Sequence, residues 1–213
     1  MERSSRGWLV PLSGLAFVVL LFVSFIVGGE PKDATHPANE VQQWWVDNKD
    51  SAEFGAFIGM IAAALLVFYG AYLRQVFSVG EGGRSMFPTL VLIGATMVAL
   101  GGAIDGMLAF ATAERADDIP AESVLTIQAI WDNDFLPLAL GVLVFNWAAG
   151  ISVLRSGALP RWMGWAAIIF GVLSLAGPVG FAGVIGAALW VIVSSIMLSM
   201  RARGPASTAP AAA

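Results

Sequence analysis

Six apolar runs divide the chain, at 8–28, 54–73, 88–112, 135–154, 162–177 and 181–200. Five of them are long enough, at 1.5 Å per residue, to cross a hydrocarbon core of about 30 Å as a helix. The fifth run is shorter, about 24 Å as a helix, so its outer turn is expected to dip into the leaflet. Only Pro178-Val-Gly180 separates it from the sixth, which predicts a tight helical hairpin. Arg3 and Arg6 precede the first run. That run is too long for a signal peptide and lacks an Ala-x-Ala-like cleavage site, so it is expected to be retained as a span. The predicted fold class is all-α: a polytopic transmembrane bundle of six spans in a single domain over 1–203. The Ala/Pro-rich tail, 204–213, is expected to be disordered.

Two longer polar connections interrupt this pattern, at 29–53 and 113–134. In the first, Ala38–Asp47 has the composition of a short helix lying on the membrane, with Trp44 and Trp45 as headgroup anchors. In the second, Val124, Leu125, Ile127, Ile130 and Trp131 give 120–131 an amphipathic stripe. Trp8, Trp131, Trp162 and Trp165 fall at other predicted span ends, where indoles favour the interface. Small residues at helical spacing, Gly55 with Gly59 and Gly102 with Gly106, predict faces for close helix packing.

Composition agrees with lipid as the main solvent: 58% of residues are apolar and 12% charged, with a mean hydropathy of +0.79. No cysteine is present, which excludes disulfides and thiolate chemistry, and the single His36 excludes bis-His haem and multi-His zinc. No cofactor and no nucleic-acid partner is expected.

Charge predicts orientation. With both termini cytoplasmic, Arg3, Arg6, Arg74, Arg84, Arg155, Arg161, Arg201 and Arg203 lie inside, and only Lys32, Lys49 and Arg115 lie outside. The acids sort the other way: Glu2 and Glu81 inside, Asp105 within a span, and the remaining twelve outside, so the outer face sums to −9 and the inner to +6. Trp45-Val-Asp-Asn48 and Trp131-Asp-Asn133 each precede a span that ends in Leu-Arg, which fits either a parallel repeat or two similar outer interfaces.

Asp105 is the one Asp, Glu, Lys, Arg or His side chain inside an apolar run. Insertion of an acid at the bilayer centre costs about 2.5–3.5 kcal/mol on translocon scales, so such a group faces protein or a wet cavity. It has two readings, a proton or cation coupling site or a neutral acid hydrogen-bonded for packing. Asn146, in Phe-Asn-Trp, either lines a pathway with Asp105 or joins helices by a hydrogen bond. Met60, Met97 and Met107 read as packing residues rather than copper ligands. Asp47, Asp50, Asp132 and Asp134 supply hard oxygens at the outer mouths of two spans, a minor candidate for a divalent cation beside the ordinary reading of solvated acids. No phosphate-binding glycine loop, HExxH or GxSxG string occurs.

The string Leu154-Arg-Ser-Gly-Ala-Leu-Pro-Arg-Trp-Met-Gly-Trp165 has a direct physical reading: Pro160 starts a helix, Arg161 meets lipid phosphates, and Trp162 and Trp165 anchor it. It resembles a loop of uncharacterised bacterial six-span membrane proteins of the domain-of-unknown-function type. The resemblance implies six spans in a bacterial cytoplasmic membrane and no particular activity. Three functions follow from different classes: an accessory subunit that binds another membrane protein or a second copy, a small proton- or cation-coupled transporter using Asp105, and an intramembrane enzyme. The first is the leading expectation. The enzyme has least support, since no nucleophile–base pair or metal set can be assembled at one depth.

Overall fold

The structure, a computed structural model, describes residues 7–176 and 180–203. Among these the regular structure is helical: a short 3-10 turn at Gly7–Leu9, then α1 (Leu12–Gly28), α2 (Ala38–Asp47), α3 (Lys49–Gly80), α4 (Phe87–Arg115), α5 (Ala121–Trp131), α6 (Phe135–Ser156), α7 (Arg161–Leu173) and α8 (Gly180–Arg203). Four stretches, Lys49–Gly80, Phe87–Arg115, Ala121–Ser156 and Gly180–Ala202, are long and apolar enough to cross a membrane; α1 and α7 are apolar but shorter. The tail, Arg3 and Arg6, and the 177–179 part of the expected hairpin turn lie outside the described residues.

Local chemistry sets the boundaries. Pro37, Pro120 and Pro160 each stand in extended backbone just before α2, α5 and α7. Their fixed φ suits that position, and the N–H they lack is one that no helix carbonyl would accept. Gly157 ends α6 with φ 65°, its N–H donating to the Val153 carbonyl. Helix α3 starts five residues before the apolar run at 54–73, because Lys49–Glu53 continue it into the acidic end of the molecule. Helix α7 stops at Leu173, short of the predicted 177, where the Ser174 hydroxyl donates to the carbonyls of Gly171 and Ala139.

Six helices close a ring in which each packs on the next: α1 on α3, α3 on α4, α4 on α6, α6 on α7, α7 on α8, and α8 back on α1. Helices α4 and α6 cross closely at three glycines. A Cβ on Gly94 would lie 2.3 Å from Phe145 N, one on Gly141 2.6 Å from Val98 N, and one on Gly101 3.0 Å from Leu138 Cα. These glycines let the two backbones meet. In all three crossings the paired positions sum to 239, so the antiparallel register is constant along the pair.

The half of the ring toward the arginine-bearing ends is filled with side chains, among them Leu66, Tyr69, Leu73, Phe77, Val153 and Met163. Several of its polar groups pair internally, as an apolar surround favours: Tyr69 Oη lies 2.6 Å from Ser194 Oγ, and Trp190 Nε1 donates to the Met163 carbonyl at 2.9 Å. The buried Ser152 and Ser195 hydroxyls have no partner in hydrogen-bond geometry. Outward, large apolar side chains such as Phe25, Ile26, Phe68 and Leu100 are exposed, each above 60%. Lipid, not water, suits that surface.

At the opposite, acidic end α2 and α5 pack on each other and on the ends of α3 and α4. Val41, Trp45, Ala52, Ala113, Ala116 and Val124 form a second small core there. Helix α2 therefore does not lie alone on a membrane surface; α5 buries its apolar face.

Candidate functional site

Beneath this two-helix cap the ring does not fill completely. A partly enclosed cavity of about 220 Å³ runs down its axis, lined by residues of α1, α3, α4, α6 and α8 and roofed by Trp44 and Trp45 of α2 and Trp131 of α5. Two stripes of small residues make the room: Ala52, Gly55, Ala56, Gly59 and Ala63 on α3, and Ala99, Gly102, Gly106 and Ala109 on α4. At helical spacing they present one face each, and that face carries no bulk.

Asp105 and Asn146 both line this cavity, at different levels. By the constant α4–α6 register, Asp105 stands opposite Asp134 and Asn146 opposite Ile93. Asn146 is thus twelve residues of α4 deeper than Asp105, roughly 18 Å along the axis. No single proton or metal ion can touch both. Asp105 sits at the mouth of the bundle directly under the cap, close enough to Trp131 and Asp134 to interact with each. The Trp131 Nε1 and one Asp134 carboxylate oxygen are buried with no partner in hydrogen-bond geometry. At the deep end Asn146 is fully buried; its Nδ2 donates to the Val142 carbonyl at 3.0 Å, and its Oδ1 receives nothing.

The cap is held by polar contacts as well as by its core. Trp45, expected as a headgroup anchor, is only 2% exposed, with Nε1 donating to Gln128 Oε1 at 2.9 Å. Its ring packs edge-on against both Trp44 and Trp131. The indole turns inward because α5 offers it a buried acceptor, a partner invisible to a helix-by-helix reading. Gln42 Nε2 donates to the carbonyls of Ala116 and Ile119, tying α2 to the α4–α5 connection. Lys32 Nζ lies 2.6 Å from Glu40 Oε2 and holds that carboxyl below its ordinary range. Trp162 and Trp165 stand exposed on the outer surface of α7, and Trp8 is half-buried.

The acids named as a possible cation site do not converge. Among the described residues no three His, Cys, Asp or Glu side chains form a metal-binding group. Asp132 instead accepts from the Ala34 N–H and Gln128 Nε2, and Asp47 accepts from Gln43 Nε2.

The glycines named for packing separate into two kinds. A Cβ on Gly55 would fall 2.6 Å from Gly28 Cα, so α1 crosses α3 there; Gly59 has ordinary contact with Ser24. A Cβ on Gly106 would meet Ala56 O at 3.6 Å, and one on Gly102 nothing within 4 Å, because Gly102 borders the cavity. Sequence reasoning missed Gln128, Ser24 and the roof formed by the three indoles. The signal within reach was the pair of small-residue stripes, which read equally well as packing faces.

No protein-family model matches this chain, and neither does any curated protein or any solved structure.

Proposed function

We propose that this protein is a six-span protein of a bacterial cytoplasmic membrane, with both termini inside, that binds a small lipophilic molecule in the cavity beneath its outer cap. The carrying observation is the cavity itself: an apolar slot with one carboxyl at its capped end and the buried Asn146 in its far wall. Ligand sites have this form, apolar walls with a few placed polar groups. Six spans are supported by the closed ring, in which short α1 and α7 occupy positions equivalent to those of the four long helices. The arginines Arg74, Arg84, Arg155, Arg161 and Arg201 at the end away from the cap support a cytoplasmic placement of that end. The loop at Leu154–Trp165 supports the same bacterial setting by its resemblance.

The accessory-subunit reading draws less from the geometry. Its small-residue faces are turned inward: Gly55 meets Gly28 of the same chain, and Gly102 borders the cavity. Coupled transport through Asp105 is the second reading. The half-buried carboxyl favours it; the long apolar interval before Asn146 does not.

The test is binding of decanol, an uncharged probe with a narrow apolar body, to the full chain in phosphatidylcholine nanodiscs, with empty nanodiscs as the reference. Saturable one-to-one binding is expected, and Gly102→Leu, which fills the slot, abolishes it. Binding that Gly102→Leu leaves unchanged would place the probe elsewhere and contradict the proposal.

A further inference from the structure

We infer that the cavity takes a lipophilic monocation, an amine or quaternary ammonium head on one narrow apolar body, with the head at Asp105 and the body running down the slot toward Asn146. This rests on the ligand-binding reading above and specifies its ligand class.

Four observations converge on it. Among the described residues the lining contains no Lys, Arg or His, and Asp105 is its only ionisable side chain. An anionic head would enter without a counter-charge, whereas a cation would gain one. Second, the polar side chains of the lining away from the indole roof, Asn146 and Ser24, present acceptor oxygens. Asn146 Oδ1 is buried and unpartnered, and Ser24 Oγ already donates its proton to the Leu21 carbonyl at 2.8 Å. The Trp131 Nε1, an unused donor, lies beside the Asp105 carboxyl. Apart from that indole, which Asp105 itself adjoins, a ligand that brings donors or a positive charge matches the acceptors present.

Third, Trp44, Trp45 and Trp131 line the same end of the cavity as Asp105. Indoles beside a carboxylate favour an organic cation, whose charge is attracted by the ring faces as well as by the acid. Fourth, the cap end carries twelve acids against Lys32, Lys49 and Arg115. A field of that sign draws cations toward the capped end and repels carboxylates. The slot is elongated, about 18 Å between the Asp105 and Asn146 levels by the helix register, so a decyl chain fits along it.

The test compares three probes of one length, decylamine, decanol and decanoate, by calorimetric titration into the full chain in phosphatidylcholine nanodiscs, corrected with empty nanodiscs. Wild type, Asp105→Asn and Gly102→Leu are titrated side by side. The expected result is that decylamine binds most tightly and decanoate least. Asp105→Asn should weaken decylamine at least roughly tenfold, as loss of a buried counter-charge does, with decanol little changed. Retained decanol binding shows that the Asn variant is folded. If decanol or decanoate binds wild type as tightly as decylamine and Gly102→Leu abolishes all three, the cation inference falls while the binding site stands. If the amine preference survives in Asp105→Asn, Asp105 is not the counter-charge and the inference falls. If no probe binds, or Gly102→Leu binds them as wild type does, the ligand-binding reading falls with it.

Discussion

Alanine at Gly94 or at Gly102 should divide two glycines of one helix that look alike in the sequence. Both changes add a methyl and the same helix propensity, about 0.8–1.0 kcal/mol, so their difference isolates packing. At Gly94 the added Cβ would lie 2.3 Å from Phe145 N and 2.5 Å from Phe145 Cα. Those are backbone atoms of α6, which cannot rotate aside, so α4 and α6 must separate along a crossing that also includes Gly101 and Gly141. Overpacking of this kind costs about 1–3 kcal/mol. At Gly102 the Cβ meets nothing within 4 Å, and only the propensity gain remains. Gly94→Ala should therefore melt several degrees below Gly102→Ala in the same detergent, at about 2–4 °C per kcal/mol for a chain of this size. Thermal unfolding followed by circular dichroism measures it. Coincident melting curves would refute the constant α4–α6 register, and with it the depth assigned to Asp105 and Asn146.

Three further outcomes follow from the same geometry. Gln128→Leu strands the buried Trp45 N–H, at a cost of about 1–3 kcal/mol; hydrogen exchange should rise in α2 and α5 but not around Tyr69, and unchanged exchange in α2 would count against the cap. Asp105→Asn should leave expression and folding intact, since an amide has the shape of the acid in a half-buried place at a cavity wall; loss of folded protein from detergent extracts would contradict it. The chain has no cysteine, so Lys49→Cys and Arg161→Cys can be labelled singly. A membrane-impermeant maleimide on intact cells should react at 49 and not at 161, and the reverse pattern would invert the topology.

Much of the fold is legible in the sequence because lipid imposes a simple rule: long apolar runs become helices, and proline and glycine punctuate them. Pro37, Pro120 and Pro160 mark three helix starts, and Ala38–Asp47 and the stripe ending at Trp131 mark the two short cap helices. Tertiary pairing is not legible in the same way. Nothing local to Ala38–Asp47 says that its indole at Trp45 will find Gln128, eighty-three residues on, instead of a headgroup. Depth misleads for a related reason. Counted from the end of its own apolar run, Asp105 falls well inside the hydrocarbon; the α6 register brings it level with Asp134, under the cap. Gly102 and Gly94 illustrate the remaining gap. A glycine that admits a neighbouring backbone and one that borders empty space carry the same letter, and only the facing helix distinguishes them.

Whether the cavity is open to a ligand and can be filled by one is directly measurable, because the chain has no native cysteine. Gly102→Cys places a thiol on the cavity wall, and Leu100→Cys places one on the exposed outer surface of the same helix as a control. In nanodiscs, the thiol of Gly102→Cys should be alkylated by N-ethylmaleimide. Saturating decylamine should slow that reaction and leave the rate for Leu100→Cys unaffected. If the Gly102→Cys thiol never reacts, or reacts at the same rate with decylamine present, the cavity is not a binding site.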